Sequence, residues 1–132
     1  MNVDNASSSI VDHLIDTEVV EIKLYGGIEV VFGEERDSAL QIECDFLIVR
    51  GNSTKKVHFA PAYGDESSGL DDLASTFRQT VIASVANEDG DLTLDFSNSV
   101  RLIVEHDDNF EAWNLSSHSR GIIISLPGGG LG

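Results

Sequence analysis

The amino-acid sequence predicts a mainly β protein of the α+β class, an antiparallel half-barrel or sandwich built from two similar β-meanders with one short helix. Three observations favour this fold. Residues 90–113 contain a strand, a tight turn, a second strand, an acidic turn and the start of a third strand. Residues 27–46 show a similar order earlier in the chain. One convincing stretch of helical apolar spacing lies between them, at residues 70–77.

The 132 residues are enough for one domain with a single core. We expect this domain to span residues 1–132, with disorder at 1–9, the first meander at 17–60, the helix at 68–79 and the second meander at 80–126. The N-terminal residues have neither the basic start nor the apolar run of a secretory signal, and no stretch is long and apolar enough to cross a bilayer. We therefore expect a cytoplasmic protein that has no membrane partner.

Hydrophobic alternation defines the first meander. A β-branched run over residues 19–24 ends at a Gly-Gly pair, which suits a two-residue hairpin because glycine adopts positive φ without steric cost. Residues 28–32 form the return strand. We expect a third strand over residues 39–49, although its alternation is lost after Phe46, which indicates a bulge or burial on both faces.

Two short elements connect the meanders. Residues 55–59 are expected to form an edge strand, because two adjacent lysines protect an exposed sheet edge. The helix follows, and Ser68 is placed to cap it. Near the N-terminus, the apolar patch at residues 10–15 has a helical or turn-like pattern.

The second meander gives the clearest pattern. An Asp-Gly turn at residues 87–90 precedes strands at 92–96 and 100–104, both of which alternate apolar and polar residues. Further strands are expected at 110–115 and at the isoleucine-rich residues 121–126.

The two halves share a pattern of strand, turn and strand that ends in phenylalanine. Phe32 lies eight residues before Leu40, whereas Phe96 lies six residues before Leu102, so one turn is expected to be two residues longer. All β-meanders resemble one another in pattern, and the sequence therefore leaves open whether the halves are a true duplication.

Charge is the strongest compositional signal. Eight Lys and Arg residues face 23 Asp and Glu residues, giving a net charge of −15 and a pI near 4.3. Such a surface repels nucleic acid and anionic membranes and attracts a basic protein partner. The alternative is that acidity serves solubility alone, but −15 exceeds the roughly 2 to 8 units that solubility requires.

The residues show no catalytic centre, no cofactor motif and no metal-binding spacing, so we expect a protein that is not an enzyme and needs no cofactor or metal. The four histidines are scattered along the chain. Residues 105–108 (Glu-His-Asp-Asp) concentrate possible metal ligands, but adjacent strand residues point to opposite faces, which favours a solvated acidic turn. The single cysteine, Cys44, lies in an apolar pattern that favours a buried core residue over a reactive thiol.

Trp113 is the only tryptophan and follows Phe110 in a predicted strand. One interpretation is a core or rim aromatic. The other is an anchor for a partner, because tryptophan side chains contribute strongly to interface energetics.

Several of these residues carry a resemblance to a known kind of family. The matching residues are Asp89-Gly90, the alternating strand that follows them, Phe110-Glu111-x-Trp113, and Pro127-Gly128-Gly129. The chain resembles a family of small uncharacterised bacterial domains with a C-terminal Phe/Tyr-Glu-x-Trp motif and a closing Pro-Gly-Gly. Such families are similar to immunity proteins encoded beside bacterial toxin genes, including those of contact-dependent inhibition.

The resemblance implies a cytoplasmic immunity protein that binds and neutralises a basic toxin domain, such as a nuclease. The alternative is a ligand-binding or homo-oligomeric β domain, for example a homodimer that pairs through an open sheet edge and whose interface avoids the acidic turns. We expect the acidic turns at one end of the meander to cluster into one contiguous contact patch. The candidate contact residues are Glu34, Glu35, Asp37, Asp65, Glu66, Asp71, Asp72, Glu88, Asp89, Asp107, Asp108 and Trp113.

Overall fold

Ten β-strands make up most of the secondary structure in a computed structural model that describes residues 10–24, 27–58 and 69–132. A 3-10 turn (Asp12–Leu14) and a short helix, α1 (Leu70–Ala74), complete the secondary structure. The strands are β1 (Val19–Lys23), β2 (Ile28–Phe32), β3 (Ser38–Ile42), β4 (Phe46–Arg50), β5 (Ser53–Val57), β6 (Val81–Ala86), β7 (Leu92–Phe96), β8 (Val100–Val104), β9 (Trp113–Ser117) and β10 (Gly121–Ile124).

The strands form two five-stranded sheets in which each strand pair is antiparallel. The first sheet has the order β1-β2-β3-β9-β10, and the second has the order β5-β4-β8-β7-β6. The sheets enclose one hydrophobic core as a sandwich. The predicted mainly β fold with antiparallel sheets and one short helix is therefore confirmed. In the described ranges, no helix has the length and apolar character needed to span a bilayer.

Alternating side chains of both sheets fill the core. In β7, Leu92, Leu94 and Phe96 are buried, whereas the two residues between them are partly exposed. Such burial contributes about 1.5–3 kcal/mol for each large apolar side chain. β8 has the same alternation, as the sequence predicts for both strands.

The strand expected over residues 39–49 is two strands, and that prediction is wrong. The chain leaves the first sheet after Ile42 and enters the second sheet at Phe46. The apolar run continues through this crossover because Leu47 and Val49 point out of the second sheet while their neighbours point inward. The periodicity of the sequence therefore does not mark the break.

A second crossover of the same kind lies between β8 and β9. The two predicted meanders are therefore not continuous, because each is divided between the two sheets. Residues 17–60 supply β1, β2 and β3 to the first sheet but β4 and β5 to the second. Residues 80–126 supply β6, β7 and β8 to the second sheet but β9 and β10 to the first. Each half of the chain thus exchanges one hairpin with the other half.

The exchanged arrangement has an internal pseudo-twofold symmetry in which β1–β5 correspond to β6–β10. The N–H of Arg78 donates to the carbonyl of Val19 at 2.8 Å, and the N–H of Asp16 donates to the carbonyl of Val81 at the same distance. Asp16 and Arg78 both have positive φ, 75° and 69°. Equivalent residues therefore make reciprocal hydrogen bonds at the junction of the halves, which favours a true duplication.

The duplication extends to irregular features of the sheets. The β1–β2 and β6–β7 pairs both shift register one residue into the strand, after Val19 and after Val81. The β2–β3 turn is longer than the β7–β8 turn by two residues, because Val30 pairs with Leu40 whereas Leu94 pairs with Leu102. This difference is the one that the sequence predicts.

Helix α1 is shorter than the predicted residues 68–79. Beyond Ala74 the backbone turns with 3-10 bonds, such as the one from the N–H of Phe77 to the carbonyl of Ala74 at 3.1 Å. The predicted cap, Ser68, lies outside the described residues, and Gly69 holds the N-cap position without a side-chain hydrogen bond. A Cβ on Gly69 would lie 2.1 Å from the Cγ2 of Val57, so glycine is required where α1 meets β5.

Other local predictions have mixed outcomes. The edge strand with two lysines is confirmed as β5, although it covers Ser53–Val57. The apolar patch at residues 10–15 contains the 3-10 turn. The predicted disorder at residues 1–9 lies outside the described residues.

The buried carboxylate of Asp72 connects α1 to the second sheet through ion pairs with two partly exposed cations. Asp72 is 6% exposed, and its carboxylate accepts a hydrogen bond from Arg50 at 3.0 Å and lies 3.2 Å from the Nζ of Lys55. The hydrogen bond from Arg50 lowers the pKa of Asp72, with Lys55 adding to this effect against the opposing effect of burial. Because its carboxylate is engaged by these two cations, Asp72 has a structural role in the fold.

We predict that Asp72→Asn lowers the free energy of unfolding at pH 7 by about 1–2 kcal/mol, a value discounted because both cations are partly exposed. The lowered pKa means that this stabilisation is present above pH ~4 and is lost as the pH falls through the folded-state pKa. Urea unfolding at pH 7 and pH 3 measures it. Asp71→Asn is the matched control, since Asp71 is exposed in the same helical turn. Equal effects of the two substitutions would contradict the ion-pair account.

Candidate functional site

Three loops meet at one end of the sandwich, which we call the acidic end. The β6–β7 turn lies beside the β8–β9 connection because Leu92 pairs with Val104. The β3–β4 connection joins them because the N–H of Glu43 donates to the carbonyl of Ala112 at 2.8 Å. The carboxylates of these loops define the acidic end: Glu43, Asp45, Glu88, Asp89, Asp91, Glu105, Asp107, Asp108 and Glu111.

The β6–β7 turn is a preorganised part of the acidic end. The side-chain oxygen of Asn87 accepts hydrogen bonds from the N–H groups of Asp89 at 2.9 Å and Asp91 at 3.0 Å. Gly90 has a φ of 91°, which fits the Asp-Gly turn predicted from the sequence. Exposed Glu88 and Asp89 are therefore held at the tip of a defined turn.

A carboxylate–imidazole pair joins this turn to the β8–β9 connection. The Oδ1 atom of Asp91 lies 2.8 Å from the backbone nitrogen of His106 and 2.9 Å from its Nδ1 atom. Burial acts to raise the pKa of Asp91, but the hydrogen bonds from His106 and Asn87 outweigh it, so this pKa is lowered. The hydrogen bond to Asp91 raises the pKa of His106, to which the neighbouring aspartates contribute.

The glycine-rich residues near the C-terminus hold both acidic loops. The N–H of Gly130 donates to the carbonyl of Asp89 at 2.9 Å, and the N–H of Gly128 donates to the carbonyl of Asp107 at 2.8 Å. A Cβ on Gly90 would lie 2.7 Å from the carbonyl oxygen of Gly130, so this contact requires glycine. The Pro-Gly-Gly motif therefore has a structural role at the acidic end.

Trp113 is a core residue, and the folded chain exposes none of it (0% exposed). Its Nε1 donates to the carbonyl of Gly90 at 2.9 Å, and the hydroxyl of Ser125 donates to the same oxygen at 2.8 Å. The interpretation of Trp113 as a partner anchor is therefore corrected, because this side chain lies beneath the acidic loops. Phe110 of the same motif is exposed.

The predicted contact residues do not form one patch. Glu34, Glu35 and Asp37 lie in the β2–β3 turn, at the end of the sandwich opposite to Asp107 and Asp108. The antiparallel pairing of β3 with β9 separates them by the length of a strand, since successive turns of a meander alternate between its ends. Glu88, Asp89, Asp107 and Asp108 do come together.

The remaining predicted carboxylates lie elsewhere. Asp71 is exposed on α1, and Asp72 is buried in its ion pair. Asp72 lies away from the acidic end, because its carboxylate pairs with Arg50, the last residue of β4. Asp65 and Glu66 lie outside the described residues.

The opposite end, which we call the arginine end, holds the five arginines of the chain. Each lies in a turn or strand terminus there: Arg36, Arg50, Arg78, Arg101 and Arg120. Four of them pair with carboxylates, at Glu21, Asp72, Glu18 and Asp95. The nine carboxylates of the acidic end therefore share their end with no arginine, whereas the carboxylates of the arginine end, which include Glu34, Glu35 and Asp37, are partly offset by arginines.

Sequence reasoning missed five carboxylates of the acidic end: Glu43, Asp45, Asp91, Glu105 and Glu111. Glu43 and Glu105 occupy equivalent positions after β3 and β8, where each half changes sheet. Their shared place in the internal repeat was visible in the sequence and could have identified them.

Among the described residues, no group of three or more His, Cys, Asp and Glu side chains is arranged to hold a metal ion. Burial, together with smaller contributions from nearby carboxylates of which Asp107 contributes most, raises the pKa of the Cys44 thiol to about 11. This thiol is therefore protonated at neutral pH.

The fold and this site together define a two-sheet β-sandwich with an acidic loop cluster at one end. Residues 10–132 match a family described as a family of unknown function, DUF6188, and the chain belongs to this family. No curated protein and no solved structure matches the chain. The family description gives no activity, so the likeness to immunity proteins stays a prediction.

We predict that Cys44 in the folded protein reacts with a disulfide reagent at pH 8 at least roughly tenfold more slowly than free cysteine. The raised pKa leaves little thiolate, and higher intrinsic nucleophilicity compensates only in part. Absorbance after addition of the reagent measures the rate, and the protein in urea is the control. A folded-state rate equal to that of free cysteine would refute this account of Cys44.

We predict that the contribution of the His106–Asp91 pair to stability is larger at pH 5.5 than at pH 8.5. The raised pKa of His106 gives stability that is full below pH ~6.5 and is lost as the pH rises through the folded-state pKa. The lowered pKa of Asp91 gives stability above pH ~4. His106→Asn should therefore lower the urea midpoint more at pH 5.5, whereas His118→Asn, an exposed control, should not. A loss that does not depend on pH would contradict the assignment.

Proposed function

We propose that the protein is a non-enzymatic binding protein whose acidic end captures a basic protein domain. We further propose that it acts in the cytoplasm as an immunity protein, with a cationic toxin domain such as a nuclease as its partner. The observation that carries the proposal is the convergence of the carboxylates of three loops at one end of the sandwich, while the five arginines lie at the other end.

Electrostatics supports a basic partner. The net charge of −15 steers cations over distances near the Debye length, about 8 Å at physiological salt. Because carboxylates are concentrated at the acidic end, they orient the approach of a basic partner toward that end. A nuclease carries Lys and Arg where it contacts phosphates, and a dense set of carboxylates is complementary to such a surface.

The hydrogen bonds that fix the loops of the acidic end also support a role in binding. Asn87 fixes the β6–β7 turn, and the carboxylate of Asp107 accepts the N–H of Asn109 at 2.8 Å in the β8–β9 connection. Gly128 and Gly130 join both loops to the C-terminal residues. Loops that are ordered before binding lose less conformational entropy when a partner arrives.

The step from a basic partner to a toxin rests on the motif resemblance. It is tested by co-expressing the chain with the product of the gene immediately upstream. We expect that product to be toxic when expressed alone, and we expect the two proteins to co-purify with relief of toxicity. A toxic product that is neither bound nor neutralised would overturn the immunity proposal.

Charge reversal within that complex tests the binding surface. We predict that Glu88→Lys with Asp108→Lys slows association at least tenfold and reduces its dependence on salt, because both carboxylates are exposed at the acidic end. Surface plasmon resonance at two salt concentrations measures the rate.

The matched control is Glu34→Lys with Glu35→Lys, which makes the same change in charge in an exposed turn at the opposite end. We expect only the small slowing that follows from a lower net charge. Equal slowing by the two double variants would show that net charge, and no particular surface, governs binding.

A further inference from the structure

His13 lies in the 3-10 turn, and both nitrogens of its imidazole ring are buried although the residue as a whole is partly exposed. Neither nitrogen has a hydrogen-bond partner in the part of the chain that the structure describes. Buried polar side-chain atoms in folded proteins are almost always hydrogen-bonded, so this ring requires an explanation. A neutral imidazole tolerates the position better than an imidazolium, which would bury a positive charge without a hydrogen-bonded partner.

The internal repeat shows how the same position is held in the other half of the chain. Asp16 and Arg78 are equivalent, and the same pattern of 3-10 backbone bonds precedes both, so His13 corresponds to Ser75. The side-chain nitrogen of Asn98 in the β7–β8 turn donates to the carbonyl of Ser75 at 3.1 Å and lies 3.2 Å from its hydroxyl. In the described residues, His13 makes no such contact with the β2–β3 turn, the counterpart of the β7–β8 turn.

Apolar burial is the main interaction that holds the 3-10 turn on the sandwich. Val11 and Leu14 are both fully buried and belong to the core. A hydrogen bond from the hydroxyl of Ser84 in β6 to the carbonyl of Val11, at 2.9 Å, adds to this burial. The counterpart of the turn, α1, has in addition the ion pairs of Asp72. Elements with fewer fixed contacts open at a lower free energy than the strands of a sheet, so we expect the 3-10 turn to open locally.

The surroundings of His13 disfavour a positive charge on its ring. Burial lowers the pKa of His13 below its ordinary value, and the positive charge of Arg120 in the β9–β10 turn adds to this effect. Asp37 in the β2–β3 turn, the carbonyl of Ile10 and the carboxylate of Asp12 act in the opposite direction without outweighing it. The strand on which the turn packs, β6, contains no titratable residue. The imidazole is therefore neutral in the closed turn at neutral pH.

We propose that His13 is a pH-dependent switch: its neutral side chain keeps the 3-10 turn closed over the core at the arginine end, and protonation releases the turn. On release, the imidazolium exchanges a buried position without hydrogen bonds for hydration by water. Val11 and Leu14 leave the core at the same time, so acidification exposes apolar side chains at this end of the sandwich. This switch goes beyond the proposed function and does not depend on it.

Proton linkage gives the direction of the pH effect. Because the pKa of His13 is lowered in the closed turn, the released turn binds more protons at the same pH. The closed turn therefore has its full stability above pH ~6.5, the ordinary pKa of histidine, and loses stability as the pH falls through the lower folded-state pKa. The pKa of His106 is shifted in the opposite direction, so a local measurement at the turn is needed.

Native-state hydrogen exchange of the purified chain, followed by NMR between pH 7.5 and pH 5, tests the proposal. The reporters are the amides of Leu14, Ile15 and Thr17, which donate backbone hydrogen bonds within and just after the turn. The buried strand β7 supplies reference amides, and protection factors correct for the intrinsic pH dependence of exchange. We expect the protection of the turn amides, relative to that of β7, to fall at least roughly threefold as the pH is lowered.

Two histidine variants identify the titrating group. His13→Gln should abolish the fall in protection, because glutamine keeps a polar side chain at the position but does not titrate. The matched control is His118→Gln, which changes an exposed histidine of the β9–β10 turn and should keep the fall. Unchanged protection of β7 at pH 7.5 shows that both variants fold. A wild-type chain whose turn shows no fall relative to β7, or an equal fall in His13→Gln, overturns the proposal.

Substitution of the neighbouring charges tests the surroundings of His13 independently of the exchange data. Arg120→Gln removes the cation that opposes protonation, so it should raise the pKa of His13 measured from the chemical shifts of its imidazole ring. Asp37→Asn removes a carboxylate that favours protonation, so it should lower the same pKa. Shifts in the same direction, or no shift in either variant, would contradict the placement of His13 between these two turns.

Discussion

The exchange of two hairpins between the halves of the chain is the constraint on which the rest of the structure depends. Without β9 and β10, the first sheet would be a three-stranded meander, and without β4 and β5 so would the second. Neither half encloses this core alone, because the buried residues come from both halves of the chain. Backbone hydrogen bonds to the carbonyls of Val19 and Val81 join the two halves. We therefore expect the sandwich to fold as one cooperative unit.

The same exchange builds the acidic end. Each half changes sheets through one connection, and the two connections lie side by side because Ile42 pairs with Trp113 and Ile48 pairs with Leu102. The carboxylates of residues 43–45 and 105–111 are thus brought together by topology. Pseudo-symmetry is broken by charge, so that a symmetric framework carries one acidic end.

Local patterns predicted the strands and the Asp-Gly turn well, because alternation in β7 and β8 reports burial on one face. The crossover at residues 43–45 could not be predicted, since it contains no Gly or Pro and the outward residues of β4 are apolar. The candidate site was predicted in part. Glu88 and Asp108 were predicted as contact residues because both lie in polar turns. The pairing of β3 with β9, however, is a contact between distant segments that no local pattern encodes. For the same reason the sequence could not place Trp113 beneath the acidic loops.

Native-state hydrogen exchange tests the interlocked fold most directly. The account predicts that the slowest amides of β3 and β9 in the first sheet, and of β4 and β8 in the second, exchange with the same free energy and the same denaturant dependence. These strands pair the two halves in both sheets, so they open only when the whole sandwich opens. Two groups of amides with separate free energies, one for each half of the chain, would contradict the account.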